Sequence, residues 1–163
     1  MNKVKIDKLT QKVVKECEKQ KRVLAVAESC TGGMLSSYIT SVSGSSKIFD
    51  RGFITYSNDA KIDLTNVKKK TLEKFGAVSK ETAVEMVEGT IKNSHSSLAI
   101  SITGVAGPGG GTSVNPVGTV YIALKIDNKK NVKKFNFPDK GREFIRKASV
   151  YEALQLLLHI LKN

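Results

Sequence analysis

The chain is poor in the residues that most often carry metal and acyl-transfer chemistry. Its 163 residues include two histidines, two cysteines and no tryptophan. Cys17 and Cys30 do not form a metal-type pair, and His95 and His159 cannot complete a zinc site with them. His95 falls in a polar loop and His159 in the terminal helical run, so a Ser-His-Asp triad is disfavoured. Without tryptophan, the chain lacks the strongest stacking platform for nucleic-acid bases. No apolar run approaches the ~20 residues that span a bilayer. The first eight residues, Met1 to Lys8, lack the apolar segment of a signal peptide. These absences predict a cytoplasmic protein with no membrane association.

What is abundant is lysine. The net charge is +12, with 23 lysines against four arginines: Arg22, Arg51, Arg142 and Arg146. The lysines are scattered, apart from short runs at Lys68-Lys69-Lys70 and Lys129-Lys130. Nucleic-acid binders cluster their basic residues or interleave them with aromatics, so this pattern argues against nucleic acid and for a solvated surface. The field would still draw in an anionic substrate such as a phosphate ester. An apolar fraction of 40% over this length suits a single domain, residues 1–163, with one substantial core.

Hydrophobic periodicity predicts helices over residues 6–20, 33–42, 58–64, 67–75 and 79–93, and a long closing helix from Gly141. Within the closing helix, Ile145, Ala148, Tyr151, Leu154 and Leu158 fall on one face. Strands are expected over residues 22–27, 49–56, 98–103, 117–126 and 132–137. The last two flank Asp127-Asn128, a hairpin signal. Helices alternating with strands, then a hairpin and a helix, give an α/β class: a three-layer α/β/α domain with a mixed, mostly parallel sheet.

Three loops that follow strands carry the candidate chemistry. In an open α/β sheet the C-terminal ends of parallel strands share one edge, where ligands bind, so all three loops meet there if their strands are parallel. The first, Ala27-Glu28-Ser29-Cys30-Thr31-Gly32-Gly33, is a tight strand-to-helix turn with a hydroxyl and a thiol. A helix start leaves backbone N–H groups free and can hold an anion or an oxyanion beside a nucleophile. Alternatively, Ser29 or Thr31 simply caps the helix. A thiol at Cys30 could be activated there.

The second loop offers Tyr56, Ser57, Asn58 and Lys61. If Asn58 caps the next helix, Lys61 lies one turn inside, where the helix dipole would lower its pKa and favour a base. The other reading of Lys61 is an ordinary solvated lysine. With histidine excluded, a Ser29-Lys61 pair assisted by Tyr56 is the remaining nucleophilic arrangement.

The third loop runs Thr103-Gly104-Val105-Ala106-Gly107-Pro108-Gly109-Gly110-Gly111-Thr112. Its glycines would let backbone N–H groups approach a phosphate closely, although no lysine follows them as in a Walker loop. Arg142 and Arg146 are one helical turn apart and match phosphate geometry. They could equally pair with Asp139, Glu143 or Glu152 on the surface.

Together with Gly44-Ser45-Ser46, Arg51 to Lys61, Gly76-Ala77-Val78-Ser79 and Pro116-Val117-Gly118-Thr119-Val120, these motifs resemble the CinA C-terminal domain family across residues 5–161. The resemblance implies nicotinamide-nucleotide amidohydrolase activity: nicotinamide mononucleotide and water give nicotinate mononucleotide and ammonia. It implies a three-layer α/β/α fold, a homodimer, and no metal or organic cofactor. It casts Ser29 as the catalytic serine and Lys61 as its general base, with Tyr56 beside them. Thr103 and one of Arg142 or Arg146 resemble substrate-site positions. The backbone of Cys30, Thr31, Gly32 and Gly33 would stabilise the oxyanion. Gly104, Gly107 and an arginine would hold the phosphate. Two rivals stand beside this reading: an amidase that uses Cys30, and a catalytically silent nucleotide-binding module of the same fold.

Overall fold

The side chains of the central strands alternate between large and small, and this alternation sets the layering. In a computed structural model describing residues 3–163, five strands form one sheet in the order β2-β1-β3-β4-β5. They are β1 (Leu24–Glu28), β2 (Phe49–Ile54), β3 (Leu98–Gly104), β4 (Thr119–Ile126) and β5 (Lys129–Asn136). Residues 1 and 2 of the expected domain lie outside the described residues. Leu24, Val26, Leu98, Ile100, Ile102, Val120, Ile122 and Leu124 point to one face, into the larger core cluster. Ala27, Ala99 and Ala123 point to the other face.

The larger side chains pack against α1 (Lys3–Lys19), α2 (Met34–Thr40) and α6 (Arg142–Lys162). The small ones let α5 (Lys80–Lys92) approach closely enough for the Ser101 hydroxyl to donate to the Ala83 carbonyl at 2.6 Å. Two short helices, α3 (Asn58–Thr65) and α4 (Lys69–Phe75), flank α5 and complete the second helical layer. The three-layer α/β/α architecture expected from the sequence is thus present.

β1 pairs in parallel with both β2 and β3, and β4 is antiparallel to its neighbours β3 and β5. The sheet is therefore mixed, and four of its five strands run the same way. β1 sits between β2 and β3, so the chain leaves β1 to one side and returns on the other. The C-terminal ends of all three open onto one edge, the switch point where α/β sheets bind ligands.

Several local expectations shift. Residues 45–47 form a short 3-10 turn that the periodicity did not signal. β5 begins at Lys129, not at residue 132, because the two-residue turn, with Asp127 at φ 50, pairs Ile126 directly with Lys129. In α6, Tyr151 and Leu158 lie at the margin, and Ala153, Leu157 and Leu161 take the buried positions.

α3 and α5 approach each other closely at Gly89. A Cβ added at Gly89 would lie 1.7 Å from the Thr65 carbonyl oxygen. Backbone cannot yield as a flexible side chain can, so Gly89→Ala should cost about 3 kcal/mol or more, lowering Tm by roughly 10 °C. Thermal unfolding checks this, and an unchanged Tm would refute the packing described.

Candidate active site

Ser29 follows β1 directly, and its N–H donates to the Ile102 carbonyl of β3 at 2.9 Å. The turn then uses left-handed backbone at Gly32 (φ 55) and Gly33 (φ 89), a region that side-chain-bearing residues rarely occupy. Lys61 arrives from the other side, on α3. That helix is capped by Ser57, whose hydroxyl accepts from Ala60 N at 3.0 Å, and not by Asn58 as the sequence suggested. Starting the helix one residue earlier leaves Lys61 in its first turn, directed inward.

Lys61 is 2% exposed, and its Nζ lies 3.1 Å from Ser29 Oγ and 2.8 Å from the Thr55 carbonyl oxygen. Ser29 is 8% exposed. The reading of Lys61 as a solvated lysine is thereby overturned. Burial lowers the Lys61 pKa from 10.5 to about 8. The direction matches the expectation but the cause differs: loss of water, not the helix dipole, disfavours the ammonium form.

Two expectations about the turn are corrected. Cys30 is not activated, because burial pushes its thiol up to about 12, and the nearby Glu28 carboxylate acts in the same direction. Cys17, a core residue of α1, is likewise pushed up to about 12 by burial. Nor is the start of α2 open to an anion. The Glu28 carboxylate, fully buried, already accepts Leu35 N at 3.0 Å, Ser36 N at 2.8 Å and Ser36 Oγ at 2.7 Å. Gly32 N–H is also committed, to the Ser29 carbonyl at 3.0 Å. Among the described residues, the N–H groups of Cys30, Thr31 and Gly33 have no backbone carbonyl acceptor.

The two arginines face the site rather than the surface acids. Arg142 donates to the Gly107 carbonyl at 2.8 Å and to the Tyr56 hydroxyl at 2.6 Å, joining the second and third loops. It is exposed, as is Tyr56. Arg146 is half-buried and donates to the Thr31 carbonyl at 2.7 Å, bracing the turn that begins at Ser29. Its Nε and the Thr31 hydroxyl are buried without a partner.

Other predicted positions have structural uses. The Thr103 hydroxyl is buried and donates to the Ala77 carbonyl at 2.7 Å. A Cβ at Gly104 would meet Val120 Cγ2 at 2.6 Å, so this glycine serves the approach of β4. Gly107, at φ 76 and before a cis Pro108, would meet Val117 Cγ1 at 2.7 Å.

Sequence reasoning missed the Thr55 carbonyl, which no side-chain motif could signal, and the role of Glu28, which it quoted but left without a function. Among the described charged residues only Glu28, at the end of β1, and Lys61, on α3, are buried. A cleft of about 780 Å³ between α1 and α2, lined by Asp7, Gln11, Met34, Tyr38 and Val42 among others, contains neither Ser29 nor Lys61. Among the described residues no group of three His, Cys, Asp or Glu side chains is placed to hold a metal ion. Among the described residues no helix is long and apolar enough to cross a membrane.

Fold and site together define a three-layer α/β/α domain with a buried serine–lysine pair at its sheet's switch point. The sequence model of the CinA C-terminal domain matches residues 6–161. A competence-damage inducible protein of Clostridium botulinum is 51% identical over 144 residues, which is 88% of this chain and 35% of that protein. One of the same description from Thermoanaerobacter pseudethanolicus is 45% identical over 151 residues, 93% of this chain and 36% of that protein. The crystal structure of the competence/damage inducible protein CihA from Agrobacterium tumefaciens superposes with a TM-score of 0.94 at 40% identity, covering 98% of this chain and 96% of that one. A CinA superfamily protein from Escherichia coli gives 0.93 at 32% identity, covering 98% and 93%. The chain belongs to the CinA C-terminal domain family. It spans about a third of the length of the curated relatives it matches.

The buried lysine has a thermodynamic signature. Its folded pKa, about 8, lies below the ordinary 10.5, so between those values the unfolded chain holds more protons than the folded one. Burial therefore penalises folding fully below pH 8, and the penalty fades as pH rises to 10.5. Relative to Lys61→Met, the wild type should gain about 3 kcal/mol of stability across that window. Denaturant titrations at both pH values measure it, and equal pH slopes for the two proteins would contradict the assignment.

Proposed function

We propose that the protein is a nicotinamide-nucleotide amidohydrolase that converts nicotinamide mononucleotide to nicotinate mononucleotide and ammonia. The observation that carries this reading is the 3.1 Å contact between Ser29 Oγ and a buried lysine amine whose pKa is lowered to about 8, so that part of it is neutral near physiological pH. The choice of nucleotide rests on the family resemblance. The exposed Arg142, the basic surface and the loop around Gly107 are compatible with its phosphate.

In this scheme neutral Lys61 takes the Ser29 proton as Oγ attacks the carboxamide carbon. The Thr55 carbonyl holds the amine in place and stabilises the ammonium that forms. N–H groups of Cys30, Thr31 or Gly33 receive the oxyanion, each such donor typically contributing ~3 kcal/mol to the barrier. Collapse of the intermediate expels the amide nitrogen, which leaves as ammonia with the proton from Lys61. Water, deprotonated by Lys61 in turn, then hydrolyses the acyl-serine and restores both residues. Arg142 keeps Nε and one N–H on each terminal nitrogen for the phosphate, and Arg146 braces the Thr31 turn. The Cys30 alternative is disfavoured by the high pKa of that buried thiol.

Ammonia release from nicotinamide mononucleotide tests the reading. Ser29→Ala should lose activity by at least about a thousandfold. The wild-type kcat/KM should rise with pH and level off above about pH 8, as Lys61 becomes neutral. A wild type that binds the nucleotide without releasing ammonia would instead support a silent binding module.

A further inference from the structure

Glu28 is a buried carboxylate with no cation in ion-pair contact among the described residues. Burying a charge in this way is costly unless hydrogen bonds replace its water. Here three do: Leu35 N and Ser36 N from the first turn of α2, and the Ser36 hydroxyl. The side chain thus fixes the far end of the turn that begins at Ser29. Its own carbonyl fixes the other loop, accepting Thr55 N at 2.8 Å and Thr55 Oγ1 at 3.4 Å. The Thr55 carbonyl in turn holds Lys61 Nζ, which completes a closed circuit back to Ser29 Oγ.

We propose that Glu28 is a positioning residue that holds nucleophile and base in register, its carboxylate clamping the Cys30–Gly33 turn onto α2 while its backbone carbonyl anchors the loop that carries the lysine's acceptor. The proposal deepens the Ser29–Lys61 reading and rests on it. The geometry requires a carboxylate and not merely a polar group of this size. Both carboxylate oxygens receive backbone N–H groups, and an amide would turn its own N–H₂ toward one of those donors. Glu28→Gln therefore breaks half the clamp with almost no change in volume. A neutral cap such as serine could satisfy one N–H but could not reach both.

The test compares wild type, Glu28→Gln and Ser36→Ala, well below the melting temperature of each. It uses a fluorophosphonate probe alongside turnover of nicotinamide mononucleotide. In the probe reaction Ser29 Oγ bonds to phosphorus, fluoride leaves, and the serine proton passes to Lys61, so the readout is independent of the nucleotide. Displacements near 1 Å at a reacting group cost about a hundredfold. Glu28→Gln should therefore label at Ser29 roughly ten- to a hundredfold more slowly, with kcat falling in parallel and KM little changed. Ser36→Ala, which keeps both backbone bonds, should show a smaller fall in the same direction and keeps the test valid if Glu28→Gln fails to fold. Folded Glu28→Gln that labels and turns over at the wild-type rate would overturn the positioning role alone. If Glu28→Gln does not fold, wild-type labelling of Ser36→Ala would do the same. A wild type that neither labels at Ser29 nor releases ammonia would overturn the Ser29–Lys61 reading and the positioning role with it.

Discussion

The site depends on the burial of one amine. Water normally holds a lysine in its charged form, and removing that water costs free energy that few contacts can restore. Around Lys61 the replacements are a single carbonyl, from Thr55, and a single hydroxyl, from Ser29. That set is enough to hold the amine in place and too weak to keep it fully charged near neutral pH. The same desolvation that strains the fold thus lowers the amine's pKa, while the fold holds it against the Ser29 hydroxyl.

The rest of the architecture serves to keep that amine dry. α3 carries Lys61, and the Lys61 carbonyl accepts the Thr65 hydroxyl one turn later. Thr65 in turn rests against α5 at the one place where Gly89 leaves no Cβ in the way. α5 approaches the sheet because Ala27, Ala99, Ser101 and Ala123 present so little bulk on that face. The large residues on the opposite face build the main core beneath α1, α2 and α6. Glu28 stands where the two halves meet. It ends β1, caps the helix of one layer and anchors the loop leading to the other.

Much of this was legible in the sequence. Apolar patterning located all six α-helices and five strands of the described residues, and the Gly32-Gly33 pair marked the turn that presents Ser29. What the sequence could not show was what each polar group would meet. Asn58 is as good a cap as Ser57, and only the local backbone decides between them. Cys30 reads as an activated thiol until its burial is known. The start of α2 reads as an anion site until the Glu28 side chain is seen to fold back onto it, an arrangement spanning seven and eight residues that no capping pattern encodes. Arg142 and Arg146 are indistinguishable as a helical pair. Their separate contacts, with Tyr56 and Gly107 on one side and Thr31 on the other, depend on loops from distant parts of the chain.

The most direct measurement is an NMR titration of the lysine side chains with carbon-13 at Cε, comparing wild type with Lys61→Met. A dry amine predicts one lysine titrating near pH 8, clear of the rest, and its disappearance in the variant. If every lysine in the wild type titrated near the ordinary 10.5, Lys61 would be solvated, and the serine–lysine account would fail.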